Sequence, residues 1–194
     1  GILDTSVTGV RRVRFRSAAT QIAMALKAHP AKKTVIVPHY AMSGGTLIAF
    51  AADRIIMDQH AALGPVDPQL GDMQGSYPAT SLLAVIDKKK IDEIDDRTLI
   101  FAEEARKAMN QMRNLLKKIL DGKCGGEKMD SIIEEFVSGK YTHDHPFMAE
   151  QAQSLLGECV QTDVPEEVYA LMDLYRMEAG RSRPGVEYVP LMKH

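Results

Sequence analysis

The sequence predicts an α/β domain built on a parallel sheet, and three observations carry that expectation. Thr34 to Val37 is a β-branched run closed by Pro38, the pattern of a buried strand. Small and apolar residues at helical spacing follow after Gly45, and Arg54 to Met57 returns as a second short strand. Strand, turn, helix and strand in this order make a βαβ unit, whose strands lie parallel because the helix supplies the crossover.

The other elements read in chain order. Ala18 to Lys27 places Ile22, Ala25 and Leu26 at helical spacing, and His29-Pro30 stops that helix. Gly64 to Gly71 and Gly75 to Pro78 form a Pro/Gly-rich loop of the kind that often faces substrate. From Thr80 to Leu120 the pattern is helical, and it is clearest from Asp95 onward. Asp95 or Asp96 serves as the N-cap and Gly122 as the stop. Gly125-Gly126 breaks the chain before a helix from Met129 to Val137. A turn over Tyr141 to Pro146 leads to a short helix, Ala149 to Leu156, that ends at Gly157. Pro165 to Met177 reads as helical and the remainder as an irregular tail. One domain is expected over residues 1–194, with the core at 18–122 and a C-terminal helical part at 123–194.

Composition narrows the function. The chain has 194 residues, 45% of them hydrophobic and 26% charged, the balance of an ordinary globular domain. A net charge of −2 gives no general electrostatic reason to bind nucleic acid. The local exception is Arg11, Arg12, Arg14 and Arg16, which a solvated strand or loop explains equally well. Cys124 and Cys159 lack both metal-ligand spacing and the density of a secreted disulfide scaffold, so a reducing, cytoplasmic setting is expected. No apolar run reaches the length of a membrane span. The chain opens Gly-Ile-Leu rather than with Met, which fits a processed product or a piece whose upstream strand or membrane anchor lies elsewhere.

Ser43 is the first candidate for chemistry. It stands between a buried strand and a helix, and Gly44 and Gly45 follow it and let the backbone approach a bound group. There the helix dipole and free N–H groups can hold an oxyanion. The plainer alternative is an ordinary N-cap serine. The lipase-type Gly-x-Ser-x-Gly elbow is not met, because Ala41 occupies the first glycine position.

Met42 to Met57, with its Ser-Gly-Gly opening and Ala-Ala-Asp ending, followed by Leu63-Gly-Pro-Val-Asp67, resembles the signature of signal peptide peptidases. Pro38 to Thr46, Leu63 to Gly71, Asp95 to Ile100 and Tyr141 to Pro146 together resemble the serine dehydrogenase proteinase family of the Clp protease/crotonase superfamily, over roughly residues 18 to 177. The resemblance implies a spiral of ββα units with a parallel sheet and a C-terminal helical region. It also implies a serine peptidase that assembles as a homo-oligomer, acts on peptide or protein and needs no cofactor. Ser43 would be the nucleophile, with Gly44, Gly45, Gly64 and Pro65 forming the oxyanion and substrate-binding surface. The apolar helix from Leu99 to Leu120 offers a face for subunit contact.

A nucleophilic serine needs a base. Clp proteases take a histidine from the end of the next strand, but Leu63-Gly-Pro-Val has none and His60 precedes it, so a Ser–His–Asp set is not expected. Signal peptide peptidases use lysine. Reading back from Ile133-Glu-Glu-Phe136, their lysine falls near Lys107, with Lys88, Lys89 and Lys90 as alternatives. Such a lysine must be partly buried to lose its proton near neutrality. The family's Gly-Gly turn, which supplies a second oxyanion donor, is absent from Asp4 to Arg16, where Gly9 is the one glycine. His143-Asp144-His145 suggests metal on its face, but a turn with Asp144 capping the next helix is the expected reading. Two other functions share the fold: a crotonase-like acyl-CoA enzyme, and an inactive assembly protein.

Overall fold

The computed structural model describes residues 10–11, 18–72, 75–123 and 126–175. Its first half runs β1 (Val10–Arg11), α1 (Ala18–Ala28), β2 (Thr34–Val37), β3 (Tyr40–Ala41), α2 (Gly44–Ala51), β4 (Arg54–Met57), β5 (Ala62–Leu63), β6 (Gln69–Asp72) and β7 (Ser76–Pro78). Then come α3 (Ala79–Lys88), α4 (Asp96–Leu120), α5 (Gly126–Val137), β8 (Phe147–Met148), α6 (Ala149–Leu156), β9 (Val160–Gln161) and α7 (Glu166–Asp173). The described residues up to Val164 form one compact unit, and those from Pro165 onward belong to a second. Within the second, α7 is amphipathic, and Leu171, Leu174 and Tyr175 are exposed.

The predicted βαβ unit is present. β2 and β4 pair in parallel, with Thr34 opposite Arg54 and Val37 opposite Met57, and β9 adds to β4 in parallel. A second sheet sets β3 parallel to β5, with β8 antiparallel on the other side of β5. The stretch expected to be loop contains an antiparallel hairpin instead, with β6 paired to β7 and β1 along the other edge of β6. Pro65, Pro68, Gly64 and Gly71 gave that stretch a loop-like composition. The period-2 signal of such short strands is too weak to outweigh it.

The core closes around α2. Thr46, Leu47, Ala49, Phe50 and Ala51 are buried on that helix, because its small residues let neighbours approach from all sides. Phe50 meets Phe136 of α5 edge to face at 4.9 Å, and Phe136 meets Phe147 of β8 at 4.2 Å. Helix α4 begins where the sequence places it, since the Asp95 carboxylate accepts from the Thr98 N–H at 3.0 Å. Its apolar stripe lies inward: Ala102, Ala105, Ala108, Met109, Leu116, Ile119 and Leu120 are buried within this chain. The expected subunit-contact face of α4 is therefore spent on α2, α3 and α5. Asp144 does not cap α6 either. β8 intervenes, and the Met148 N–H at the start of α6 donates to Gln151 Oε1 at 3.1 Å. Among the described residues no helix is long and apolar enough to cross a membrane.

Candidate active site

Ser43 joins the end of β3 to the start of α2 with φ +48° and ψ −106°, and among the described residues it is the one non-glycine with positive φ. A side chain at such φ costs on the order of 1–3 kcal/mol and persists only where the surroundings impose it. The hydroxyl gains nothing local in return: it makes no capping bond to α2. The ordinary N-cap role is thus not adopted.

Close packing imposes the turn. A Cβ on Gly44 would lie 2.6 Å from the Ala19 Cβ of α1, and one on Gly45 would lie 3.2 Å from the Ala41 Cβ. The residues two before and two after Ser43 must both be small because they meet each other. A Cβ on Gly64 would fall 2.5 Å from Met42 Cε, so the segment that follows β5 also presses against the turn. Gly64 and Pro65 are both buried. Gly44→Ala should push α1 off α2 and cost about 1–3 kcal/mol, read as a lowered denaturation midpoint.

Thr46 ties these strands together. Its fully buried hydroxyl lies 2.6 Å from the Ala41 carbonyl and 2.9 Å from the Gly64 carbonyl, and it accepts from the Gly64 N–H at 3.2 Å. With one proton it donates to one carbonyl at a time. Thr46→Val keeps the shape and removes the hydroxyl, so about 1–3 kcal/mol of stability should be lost. The Ser43 turn should loosen with it, which chemical denaturation with parallel activity measurements would show.

The start of α2 leaves one backbone N–H unused. The Gly45 N–H donates to the Met42 carbonyl at 2.8 Å and the Leu47 N–H to the Ser43 carbonyl at 3.2 Å. Among the described residues the Gly44 N–H has no acceptor. It stands beside Ser43 at the positive end of the α2 dipole. The segment Asp4 to Arg16, which stands in place of the family's Gly-Gly turn, lies outside the described residues apart from β1.

The lysines are placed as follows. Lys107 lies on the outer face of α4, its ammonium 3.0 Å from Glu104 Oε1, with both side chains more than half exposed. This chain does not supply the burial that a lysine base requires. Lys88, Lys89 and Lys90 are exposed at the end of α3. The lysine that burial does push down, to about 8, is Lys123. Its ammonium donates to the carbonyls of Phe50 and Ala52 at the far end of α2. An eight-residue helix, about 12 Å long, separates it from Ser43.

A histidine and a carboxylate do come together. His143 Nδ1 lies 2.7 Å from Asp67 Oδ1, and the Asp67 side chain is 1% exposed. Gln69 Nε2 donates to the other carboxylate oxygen at 2.7 Å. The bond to Asp67 raises the His143 pKa above its ordinary value, against the opposing effect of burial. The pairings of the second sheet place the group relative to Ser43. Ser43 follows β3, Asp67 follows β5 and His143 precedes the antiparallel β8, so all three come off the same end of that sheet. No hydrogen bond joins the Ser43 hydroxyl to another described residue. His145 stacks on Tyr141 at 4.0 Å, and its buried Nε2 has no hydrogen-bond partner among the described residues.

Sequence reasoning missed the Asp67–His143 pair because it sought the histidine on the strand after Ser43. The usable signals were an aspartate in a buried Gly-Pro-Val-Asp-Pro run and a His-Asp-His turn with no other assigned role.

Residues 14–194 match the family described as ClpP-like SDH-type serine proteinase. Two proteins of Methanocaldococcus jannaschii, the uncharacterized proteins MJ0137 and MJ1495, are 54% and 47% identical over 89% and 90% of the chain. The chain spans 58% and 57% of the length of these relatives. Among solved structures, a point mutant of the 1510-N membrane-bound stomatin-specific protease matches with a TM-score of 0.50. That match covers 78% of this chain and 61% of the other, at 18% identity, and it shows the shared fold.

Proposed function

The chain belongs to the family of ClpP-like SDH-type serine proteinases, and from that premise we propose that it cleaves peptide bonds with Ser43 as nucleophile, His143 as general base and Asp67 orienting the imidazole. The observation that carries this reading is the Ser43 turn: a serine strained to φ +48° whose hydroxyl is left unused at the head of α2. Strain of this kind is kept where a function needs it.

The steps follow from the groups present. The Ser43 oxygen attacks the scissile carbonyl carbon, and its proton passes to His143 Nε2. The Gly44 N–H receives the oxyanion. The tetrahedral species collapses to an ester on Ser43 as the leaving amine takes the proton from His143. Water, deprotonated by the same imidazole, then releases the carboxylic acid and restores the serine. With Nδ1 held on Asp67, the other ring nitrogen faces away from the carboxylate and is the one free to work. The bond from Ser43 to His143 closes when substrate is seated, as catalytic hydrogen bonds commonly do.

Lys107 as the base is the competing arrangement, and it would require a partner surface to bury its ammonium. A fluorophosphonate probe tests the class. Covalent labelling that disappears in Ser43→Ala supports a serine hydrolase. Coenzyme A binding without labelling would indicate acyl-CoA chemistry on the same fold, and neither would indicate an assembly role.

A further inference from the structure

We infer that the tip of the α3–α4 hairpin is a self-complementary surface that pairs with the same tip of a second copy of this chain about a two-fold axis. The inference is independent of the catalytic reading. Helix α3 is apolar through Leu82, Leu83, Ala84, Val85 and Ile86, yet Ala79 is its one buried residue. Leu82 and Leu83 lean on the core, and Val85 and Ile86 are only partly buried. Beyond them Ile91, between the two helices, is 68% exposed, and Ile100, in the second turn of α4, is 64% exposed. Exposed isoleucines set among charged side chains mark a contact surface.

Charge selects the partner. Lys88, Lys89 and Lys90 form a positive block, and Asp92, Glu93 and Asp96 form a negative one directly after it. Asp95 is occupied as the α4 cap. The ion pairs among the described residues lie elsewhere, and no described residue forms an ion pair with either block. A nucleic acid or an anionic membrane attracted by the lysines would meet the acidic block beside them. A second copy turned by a two-fold axis sets lysines on acids twice over, with the apolar strips between them, as an isologous contact demands. Like charges across an interface cost several kcal/mol, so register is fixed as well as affinity.

Sedimentation of the chain with block reversals tests this. The parent should dimerise at micromolar concentration. K88E/K89E/K90E and D92K/E93K/D96K should each dissociate at least about 100-fold more readily, with circular dichroism spectra like the parent's because these side chains are exposed. Mixing the two variants should restore a dimer containing one of each, and combining all the reversals in one chain should restore the homodimer. A monomeric parent, a dimer that neither variant weakens, or variants that stay apart when mixed would each overturn the inference.

Discussion

Replacing Ser43 with alanine should abolish fluorophosphonate labelling and lower peptide turnover by about 10⁴–10⁶-fold, since the nucleophile and its base act as a unit. Stability should scarcely change. The hydroxyl makes no capping bond, and alanine meets the same backbone strain at φ +48°. Ser43→Gly separates the two effects further. Glycine adopts this φ freely, so the variant should be as inactive as the alanine form yet more stable by up to about 1–3 kcal/mol, less the entropy glycine adds to the unfolded chain. A dead enzyme with a raised melting temperature is the signature of strain held for function. An inactive variant of lower stability would instead make Ser43 a structural residue.

The second large effect lies in the Asp67–His143 pair. Asp67→Asn should cost about 10⁴-fold in turnover, because an amide no longer holds the imidazole in the working tautomer or stabilises its cation. The parent's rate should rise with pH, since the base works only when neutral. The bond to Asp67 raises the His143 pKa, so the midpoint should lie above the ordinary ~6.5 of histidine. In Asp67→Asn the residual activity should rise at lower pH. The sign for stability is opposite. A raised folded-state pKa means the pairing contributes fully below the unfolded pKa, and the contribution fades as pH climbs through the folded value. Activity should therefore grow over the range in which this contribution to the fold is being lost, which melting curves at several pH values would record.

How much of this the sequence carries depends on the range of the interaction. Thr34–Val37, α2 and Arg54–Met57 were legible because burial on both faces writes itself as short apolar runs. Asp95 was legible because an N-cap is decided within four residues. Ser43 was legible for the same reason: strand, serine, two glycines and helix are contiguous. Asp67 and His143 are separated by 76 positions and meet only because β5 and β8 pair antiparallel. Nothing local to either residue encodes that pairing. Lys107 illustrates the converse. Its neighbours Ala105 and Ala108 are buried, yet a turn of 100° per residue puts Lys107 itself on the outer face beside Glu104. Apolar neighbours in sequence did not mean an apolar setting in space.

The most direct test of the central claim is the rate of covalent labelling of Ser43 as a function of pH in the parent, His143→Gln and Lys107→Arg. Labelling reports the reactivity of the serine itself, without substrate recognition or product release. The catalytic reading predicts a rise with pH in the parent with a midpoint above about 6.5. It predicts the same curve in Lys107→Arg, and a loss of at least about 100-fold in His143→Gln. Full labelling in His143→Gln, with labelling abolished in Lys107→Arg and a parent curve that climbs only at alkaline pH, would contradict it.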